Sequence, residues 1–432
     1  MVQTRVESLS QEGAEVSVEH RVDYDIIMLA LPRWDGAYSS TAFSLSKALS
    51  KHARVFYVDN PFTVKSFLTQ RLSSEVRKRK NALLFGRDIF SRPDPDASPD
   101  LVAVTPRVVL PVNFFGKGIA FDIVSRINDL ILQECIAKII NEFQVKKYIL
   151  INSFNPFYGR FFNLSPAPFL KVYQTVDDIS QSEYLKKHGM WLEGEWMERS
   201  DFTIVTSSEL KRRSEVTTRN VFLLPNAANT KLFRRAYEET LPRPREIANL
   251  PPGKPVICYT GNICHRIDYE LLVKTATHHS DKILLMVGPF ANDLYRTSGL
   301  SDFPNVVFTG KKNIDELPAY LRYVDVCIIP FLCNQLTRSI YPLKINEYLS
   351  SGKPVVSTTF SQDILSFKDV IYASDDHDAF ISNIDEAIAN HTDITARQRI
   401  ARASQNNWED RARQFTAIVE EFLQDNDKRR SR

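Results

Sequence analysis

Short runs of consecutive apolar residues recur along the chain and alternate with stretches whose apolar residues return every three or four positions. The run 26–31 is entirely apolar, as expected of a strand buried on both faces of a parallel sheet. A helical stripe over 40–50 and a second apolar run over 55–58 follow it. Together they predict a strand–helix–strand unit with a right-handed crossover, and therefore an α/β protein.

The pattern repeats in two series. The N-terminal series adds a long helix over 118–143 and further strands at 101–104, 148–151, 171–173 and 203–205. The second series follows the Pro/Gly-rich segment 251–255 and has strands at 256–259, 283–287, 306–308, 326–329 and 355–357. We predict two tandem doubly wound, Rossmann-like parallel-sheet domains with an interdomain cleft. In such sheets, ligands bind beyond the carboxyl ends of the strands.

The same periodicity sets the expected domain limits. The first residues have no clear period and the last ones are a charged run. We expect a disordered tail over 1–22, an N-terminal domain over 23–235, a linker over 236–255, a C-terminal domain over 256–403, an amphipathic helix over 404–426 and a basic tail over 427–432.

Composition narrows the classes of protein that fit. A chain of 432 residues is long enough for two domains. The net charge of +3 gives no reason to expect a nucleic-acid partner. Five cysteines without paired metal-ligand spacing suggest buried thiols in a reducing compartment. The sequence has neither an apolar stretch of membrane-spanning length nor an apolar signal near its start, so we expect a cytoplasmic location.

The most informative segment is 341–358, which predicts a loop, a short helix, a glycine stop and a buried strand. Lys344 and Glu347 are three residues apart, so their side chains share one face near the helix N-terminus. A positive helix end, an ammonium group and a carboxylate together suit a ligand with phosphates and hydroxyls, such as a nucleotide sugar. A surface ion pair between Lys344 and Glu347 is the simpler alternative.

A second candidate loop follows the strand 256–259. Gly261 and Asn262 come directly after this strand, and Arg266 lies four residues further on. A glycine allows the backbone to approach an anion closely, and a guanidinium can bind two phosphate oxygens at once. An ordinary strand–helix turn with a surface arginine explains these residues equally well.

Two further loops carry weaker signals. Gly310 and Lys311 follow the strand 306–308, and the bare backbone at Gly310 suits contact with the edge of a base. The loop 332–341 contains Ser339 among several short polar side chains that suit sugar hydroxyls. Each of these features is also typical of ordinary loops.

Four segments resemble retaining glycosyltransferases of family 4, which have the GT-B fold. They are NVVFTGKKNIDELPAYLRYVDVCIIPF over 305–331, PLKINEYLSSGKPVVST over 342–358, EWMERSDFTIVTSSEL over 195–210 and LPNAANTKLF over 224–233. The resemblance covers about residues 24–423. It is closest to the branch that includes teichuronic-acid-type and other polysaccharide glycosyltransferases.

The resemblance implies a nucleotide sugar bound by the C-terminal domain and an acceptor bound by the N-terminal domain. It assigns Arg266 and Lys344 to the charge of the departing diphosphate, since retaining transfer depends on positioning and charge stabilisation. Leu343 and Glu347 belong to the implied donor-binding segment, with the Glu347 carboxylate on the ribose diol. Gly261, Asn262, Gly310, Lys311 and Ser339 complete the implied donor site.

The chain departs from the family pattern at two places. Many family 4 enzymes carry two glutamates eight positions apart; Glu347 matches the second, and Ser339 stands at the position of the first. The usual carboxylate contact to the donor sugar is therefore missing or replaced. The double glycine of many N-terminal loops is represented only by Gly36, which follows Asp35.

Two carboxylates, Asp177 and Asp178, follow the strand 171–173. They could orient an acceptor hydroxyl, and the resembling branch also has an aspartate pair here. The alternative is a helix N-cap, worth about 1 kcal/mol. We expect Asp177 to act on the acceptor side. The DxD triplets at 23–25 and 94–96 precede a strand or lie in a proline-rich loop, so no metal or other cofactor is expected.

The expected function is transfer of a sugar to a glycan or lipid-linked acceptor in cell-surface polysaccharide biosynthesis. A catalytically silent nucleotide-binding protein of the same fold is the alternative, because Ser339 replaces a carboxylate. Peripheral contact with the inner face of the cytoplasmic membrane is also expected. In the segment 64–80, Phe67, Leu68 and Val76 alternate with basic residues, and Phe114–Phe115 could add a second contact. A solvated basic helix is the simpler explanation.

Overall fold

A computed structural model describes residues 21–36, 40–93, 98–182 and 184–430. The predicted tail over 1–22 lies almost wholly outside these residues, and so does the triplet at 94–96. The described chain contains two sheets, each covered by helices on both faces.

The N-terminal sheet has eight strands. They are β1 (Asp25–Ala30), β2 (Val55–Val58), β3 (Phe90–Ser91), β4 (Leu101–Val104), β5 (Tyr148–Ser153), β6 (Leu170–Thr175), β7 (Phe202–Val205) and β8 (Val221–Leu223). Their spatial order is β3-β4-β2-β1-β5-β6-β7-β8. All neighbours pair in parallel except β3 and β4. The strand order therefore reverses beside β1, where β2 and β5 flank it.

The C-terminal sheet has six strands. They are β9 (Val256–Thr260), β10 (Ile283–Val287), β11 (Val306–Gly310), β12 (Val326–Ile329), β13 (Val355–Ser357) and β14 (Tyr372–Ala373). The order β11-β10-β9-β12-β13-β14 is parallel throughout and reverses beside β9. A reversal of this kind opens a crevice at the carboxyl ends of the two central strands, where open α/β sheets bind ligands.

In the described part of the chain, seven helices lie between the strands of the N-terminal sheet in sequence order. They are α1 (Thr41–Leu49), α2 (Val64–Gln70), α3 (Ser74–Lys78), α4 (Lys80–Phe85), α5 (Ile119–Glu142), α6 (Gly189–Arg199) and α7 (Ser208–Ser214). Several begin at serine or threonine caps: Ser40, for example, accepts a hydrogen bond from the Phe43 backbone N–H at the start of α1.

Nine helices accompany the C-terminal sheet. They are α8 (Thr230–Glu238), α9 (Arg245–Ala248), α10 (Tyr269–His278), α11 (Leu294–Thr297), α12 (Leu317–Arg322), α13 (Gln335–Arg338), α14 (Leu343–Ser350), α15 (His377–Ala389) and α16 (Asp393–Ser404). Short 3₁₀ turns lie at Ile179–Gln181, Leu300–Asp302, Ile314–Glu316 and Gln362–Phe367.

The last helix, α17 (Trp408–Arg430), returns to the N-terminal domain. It packs against α1, and its apolar residues Ala412, Phe415, Val419 and Phe422 are buried with residues of β1, β2 and β7. The chain therefore crosses between the domains twice, once before α8 and once before α17.

The two crossing segments are bonded to each other. The backbone N–H of Ala228 donates to the Asn406 carbonyl at 3.2 Å. The buried guanidinium of Arg411 donates to the Pro225 carbonyl at 2.7 Å and to the Asn406 side-chain oxygen at 2.6 Å. Arg411 thus fastens both segments to the first turn of α17.

The predicted fold class, two tandem doubly wound domains, is confirmed. Three short strands, β3, β8 and β14, are additional to the predicted ones. α8 packs with the C-terminal domain, against α12 and α14, although the sequence pattern assigned residues up to 235 to the N-terminal domain. Helix α17 runs to Arg430, into the predicted basic tail. Four of the five cysteines are buried as expected, but Cys333 is exposed.

Removing the Phe415 ring should destabilise the N-terminal domain. The residue is 0% exposed, so Phe415→Ala should lower the free energy of unfolding by about 3–5 kcal/mol in denaturant titrations. The control is Phe114→Ala, at a ring that is 66% exposed, which should change stability by less than about 1 kcal/mol. Equal effects of the two variants would show that α17 contributes no core to this domain.

Candidate functional site

The carboxyl edges of the two sheets face each other across a cleft. The hydroxyl of Ser207, which follows β7, donates to the carbonyl of Ser339 at 2.7 Å. Ser208 also reaches the C-terminal domain, where its hydroxyl donates to Asp363 at 2.6 Å. Because these residues follow strands of different sheets, the hydrogen bonds hold the edges opposite one another.

A close backbone approach forms the floor of the C-terminal side of the cleft. Gly261 follows β9 and Gly288 follows β10, and both have positive φ, 135° and 154°. A Cβ on Gly288 would lie 1.9 Å from the Gly261 carbonyl oxygen, and one on Gly261 would lie 2.2 Å from Lys344 Nζ. Both positions therefore exclude a side chain, and the ammonium of Lys344 rests directly over the Gly261 backbone.

Lys344 and Glu347 lie on the first turns of α14, as the sequence predicted, and both are partly buried. Burial lowers the pKa of Lys344 and raises the pKa of Glu347, while each charge favours the ionised form of the other. Within the described residues, the charges of Lys344 and Glu347 act on each other without a hydrogen bond between the two side chains. A surface ion pair, the simpler alternative, therefore does not describe this arrangement, and both groups remain available to a ligand.

Helix α14 is fixed to the end of β9 by a buried tyrosine. The Thr260 backbone N–H donates to the Tyr348 hydroxyl oxygen at 2.8 Å, and that hydroxyl lies 3.3 Å from the Thr260 carbonyl. Tyr348 is fully buried, and burial raises its pKa well above its ordinary value. The helix N-terminus is therefore held rigidly beside Gly261.

Arg266 and Asp177 belong to opposite domains, and their charges act on each other across the cleft. Burial raises the pKa of Asp177, and the positive charge of Arg266 is the main influence that lowers it. The charge of Arg266 also acts on Lys344 and Tyr259, which places all three around the end of β9. The site thus gathers two cations and two carboxylates from different elements.

The other residues that were predicted to bind the donor differ in how exposed they are to solvent. Asn262 is exposed, and its carbonyl accepts a hydrogen bond from the Tyr259 hydroxyl at 3.0 Å. Leu343 is partly buried at the start of α14. Gly310 has φ +72°, and a Cβ there would meet open space, so only the backbone conformation favours glycine. Lys311 is exposed after it.

Ser339 is buried rather than open to the cleft. Its hydroxyl donates to the Leu336 carbonyl at 2.9 Å, and its own carbonyl accepts from Ser207. Both polar groups are therefore engaged in holding the loop and the interdomain contact. Ser339 therefore does not supply the acidic contact expected from the glutamate that many family members carry at this position.

Asp178 has the structural role that was the alternative for the aspartate pair. It caps the 3₁₀ turn by accepting from the Ser180 backbone N–H at 3.0 Å, and it pairs with Arg213 at 2.6 Å. Hydrogen bonds from Arg213 and Ser180 outweigh the effect of burial and lower its pKa. The two aspartates therefore differ, since only Asp177 faces the opposite domain.

The predicted N-terminal loop contains Asp35 and Gly36 at the end of β1. Asp35 pairs with Arg79 at 2.8 Å, and Arg79 is buried 3.7 Å from the carboxylate of Asp59. Asp59 is 3% exposed and accepts from the Trp34 backbone N–H at 3.0 Å. Burial raises the pKa of Asp59 to about 7. Gly36 is exposed beside this cluster.

Sequence patterns missed Asp59, Arg79 and Glu193. In the sequence, Asp59 only marked the end of a predicted strand, and Arg79 belonged to a run of cations expected to lie on the surface. Glu193 lies on α6 in a charged stretch without apolar periodicity, yet burial raises its pKa to about 7. The only available signal was an acid directly after a buried strand, at Asp59.

One set of possible metal ligands occurs among the residues that the structure describes. His278, His279 and Asp385 lie together where α10 ends, at the edge of the sheet away from the cleft. The ammonium of Lys282 is bonded to Asp385 at 2.9 Å, and a cation there opposes metal binding. The acids of the triplet at 23–25 are also engaged, Asp23 with Lys147 at 2.8 Å and Asp25 with Arg54 at 2.6 Å.

Comparison with known proteins locates the family resemblance in the C-terminal domain. Residues 254–390 match the model of glycosyl transferases group 1. TuaH of Bacillus subtilis (strain 168), a glycosyltransferase assigned to teichuronic acid biosynthesis, is 30% identical over 159 residues. This match covers 35% of the chain and 40% of the length of TuaH. The predicted resemblance to group 1 glycosyltransferases is thereby confirmed over this part of the chain.

Solved structures match over nearly the whole length. Sucrose-phosphate synthase from Thermosynechococcus elongatus superposes with a TM-score of 0.63 at 16% identity, over 93% of this chain and 99% of that one. HepE of Anabaena, in complex with UDP and glucose, gives a TM-score of 0.57 at 12% identity, over 92% and 99%. The GT-B fold is confirmed by these likenesses.

The buried Asp59 should make stability depend on pH. The pKa of Asp59 in the folded protein is about 7, above the ordinary value of 3.8. The protonated side chain therefore contributes to the free energy of unfolding fully below pH 4, and this contribution is lost as the pH rises to 7. Relative to Asp59→Asn, the wild type should lose about 1 kcal/mol per pH unit across this window. Denaturant titrations of both proteins between pH 4 and 8 measure the difference.

A matched control is Asp375→Asn, at an exposed aspartate. Its unfolding free energy should run parallel to that of the wild type. A parallel profile for Asp59→Asn as well would contradict the buried, desolvated state of Asp59.

Proposed function

We propose that this protein transfers a sugar, with retention of configuration, from a nucleoside diphosphate to a hydroxyl of a glycan or lipid-linked acceptor. The observation that carries the proposal is the group of Arg266, Lys344 and Glu347 around Gly261. It combines two cations with a carboxylate and a close backbone approach, at the carboxyl edge where such sheets bind nucleotides. The match of residues 254–390 to group 1 glycosyl transferases supports it.

Each charge has a task in binding the donor. The diphosphate lies over Gly261, where Lys344 and Arg266 neutralise its oxygens and the N-terminus of α14 adds a positive dipole. The carboxylate of Glu347 accepts hydrogen bonds from the ribose diol. Gly310 and Lys311 lie further along the same edge, where the base would extend. The presence of UDP and glucose in HepE, which shares the fold, supports a donor of this class.

Transfer needs positioning and charge rather than a strong base. The bond between the anomeric carbon and the diphosphate oxygen breaks, and its electron pair stays with the diphosphate. The acceptor oxygen bonds to the same face of the sugar, and its proton passes to the departing phosphate oxygen. Arg266 and Lys344 stabilise the charge that develops, while Asp177 orients the acceptor from the opposite domain.

The resemblance to TuaH supports a place in cell-surface polysaccharide biosynthesis. A silent nucleotide-binding protein is the second candidate, since Ser339 is buried where family members carry a carboxylate. The two candidates differ in one measurement. An active enzyme slowly releases nucleoside diphosphate from its donor when water replaces the acceptor, whereas a silent protein binds the donor and releases none.

Purified protein should release nucleoside diphosphate from at least one member of a panel of UDP-, GDP-, ADP- and TDP-sugars. Glu347→Ala removes the charged acceptor for the ribose diol and should lower kcat/KM for that donor by roughly 10- to 100-fold, from about 1.5–3 kcal/mol of lost hydrogen bonding. A coupled assay for nucleoside diphosphate measures both results.

Glu386→Ala, at an exposed glutamate on α15, is the control and should leave kcat/KM unchanged. An unchanged kcat/KM in Glu347→Ala would remove Glu347 from the donor site. Donor binding without any release would favour the silent protein.

We further propose that the N-terminal domain meets its acceptor at an anionic membrane surface. Helix α5 presents four large apolar side chains to solvent at helical spacing. Ile119, Ile123, Ile127 and Leu130 are 79%, 53%, 41% and 63% exposed. Such a face on a surface helix is typical of an interaction site rather than a solvated surface. We call these residues the α5 face.

The neighbouring segment extends this surface toward the cleft. Asn128 hydrogen-bonds both backbone groups of Leu110 at 2.8 Å, which holds the segment against α5. The exposed Phe114 follows, with the exposed cations Lys117 and Arg126 nearby. Because α5 leads back from the carboxyl edge to the start of β5, its first turns lie beside the cleft.

The segment 64–80 contributes less than its sequence suggested. Val76 is buried against Phe62 and Leu83, and Arg79 is buried in its pairs with Asp35 and Asp59. Neither is therefore available to a membrane. Leu68 and five of the six cations remain exposed: Lys65, Arg71, Arg77, Lys78 and Lys80. In the described part of the chain, no helix is long and apolar enough to cross a bilayer.

Sedimentation with phosphatidylglycerol vesicles tests this proposal. The wild type should co-sediment at low salt and bind less at high salt, because cations contribute about 1 kcal/mol each near an anionic surface. Replacing Ile119, Ile123 and Ile127 together by serine should remove most of the binding at either salt concentration.

Ile394→Ser, at a 71% exposed isoleucine on α16, is the control and should bind as the wild type does. Absence of wild-type binding at low salt, or unchanged binding by the triple variant, would contradict the proposal.

A further inference from the structure

A cavity of about 140 Å³ lies in the N-terminal domain between α6 and α7, beside the carboxyl end of β6. Both helices turn one face toward it, residues 190, 193, 194 and 197 on α6 and residues 210, 213 and 214 on α7, and Thr217 adds to it from the turn after α7. Such i, i+3, i+4, i+7 positions share one side of a helix. The cavity is therefore built by two regular helical faces.

A carboxyl group without a cationic partner forms one wall. The Tyr173 hydroxyl donates to Glu193 Oε1 at 3.1 Å. Within the described residues, no lysine, arginine or histidine lies within 4.0 Å of this carboxylate, and the nearby Arg213 is engaged with Asp178. Burial raises the pKa of Glu193 to about 7. Glu193 is partly buried and is hydrogen-bonded only to the neutral groups Tyr173 and Thr175, and a ligand that donates further hydrogen bonds to its carboxylate offsets the cost of its desolvation.

The cavity adjoins the cleft at Asp177. Asp177 lines the cavity, and the charge of Arg266 in the opposite domain lowers its pKa. A molecule seated between α6 and α7 therefore reaches the place where the donor diphosphate is proposed to lie. The cavity has the position expected of an acceptor site.

The lining indicates the chemical class of the ligand. Carboxylates of Asp177, Asp178 and Glu193 outnumber the single cation, Arg213, so a phosphate or another anion is disfavoured. Hydroxyls of Thr175, Ser214 and Thr217 add donors and acceptors, and Ile179, Met197 and Leu210 supply apolar surface. Alternating hydroxyl edges and apolar faces are properties of a sugar ring, and the volume suits about one ring.

We propose that this cavity binds the terminal, uncharged sugar of the acceptor, with the Glu193 carboxylate accepting hydrogen bonds from its hydroxyls. The inference rests on the proposed glycosyltransferase function and narrows it. The acceptor then ends in a sugar unit, whether or not a lipid carries that unit, and a bare lipid phosphate is excluded as the group that receives the sugar.

Saturation-transfer NMR with methyl glycosides tests the proposal on the full chain in the presence of UDP. The probes are the methyl glycosides of glucose, galactose, mannose and N-acetylglucosamine, each titrated to about 50 mM. The wild type should bind at least one of them. Glu193→Gln should weaken that binding at least tenfold, while Glu198→Gln, at an exposed glutamate on the same helix, should leave it unchanged.

The pH dependence distinguishes a direct contact from a structural role. Binding should weaken as the pH falls below 7 in the wild type, because the carboxylate takes up a proton, and should be flat in Glu193→Gln. The groups that face Glu193 are Tyr173 and Thr175 from β6, Asp178 after it and Arg213 from α7. Asp178 and Arg213 are paired with each other, so neither is expected to produce this profile. Asp177, whose pKa burial raises, also lines the cavity, but it is unchanged in Glu193→Gln, so a flat profile in that variant assigns the pH dependence to Glu193.

A second variant keeps the test valid if Glu193→Gln does not fold. Thr217→Trp, at an exposed residue on the rim of the cavity, should block glycoside binding without disturbing the core. The proposal is overturned if no methyl glycoside binds the wild type. It is also overturned if a folded Glu193→Gln or Thr217→Trp variant binds the glycoside as tightly as the wild type does.

Thermal shifts with UDP separate this inference from the function on which it rests. Binding of UDP without binding of any glycoside contradicts only the cavity assignment. Failure to bind UDP or any other nucleoside diphosphate contradicts the proposed function itself. Both Glu193→Gln and Thr217→Trp should retain the thermal shift produced by UDP.

Discussion

The hydrogen bonds between the two crossing segments, together with those of Ser207 and Ser208 across the cleft, hold the carboxyl edges of the two sheets opposite each other. Arg411 is buried and donates to both segments, while the Ala228–Asn406 bond joins them directly. Burial lowers the pKa of Arg411, so its charge is sustained by oxygen acceptors rather than by water. Since residues of the two domains meet across the cleft only if the edges stay opposed, this joint is the mechanical basis of the site.

The cleft contains several charged side chains whose charges are only partly neutralised by other groups of the protein. Lys344 and Glu347 are partly buried and not in direct contact, and Arg266 faces Asp177 from the other domain. Burial opposes the ionised form of Lys344, Glu347 and Asp177. The proposed donor, with phosphates on one side and hydroxyls on the other, would offset these costs together.

The strands could be predicted from the sequence because buried parallel strands are continuous apolar runs. The runs 55–58, 283–287 and 326–329 match β2, β10 and β12 to the residue. β3, β8 and β14 have two or three residues and leave no such run. The faces of α6 and α7 toward the cavity mix apolar residues with Glu193, Arg213 and Ser214, so apolar periodicity did not reveal them. Arg79 looked like a surface cation, because its partners Asp35 and Asp59 are distant in sequence.

The return of α17 to the N-terminal domain has a consequence for synthesis on the ribosome. One face of the first sheet is completed by Ala412, Phe415, Val419 and Phe422, which follow the second domain in the chain and are made after it. Domains generally fold in the order of their synthesis, but here the first domain lacks part of its core until the second has emerged. The nascent chain therefore exposes apolar surface around α1 throughout translation, and a truncated product that ends before α17 is a natural substrate for chaperones and proteases.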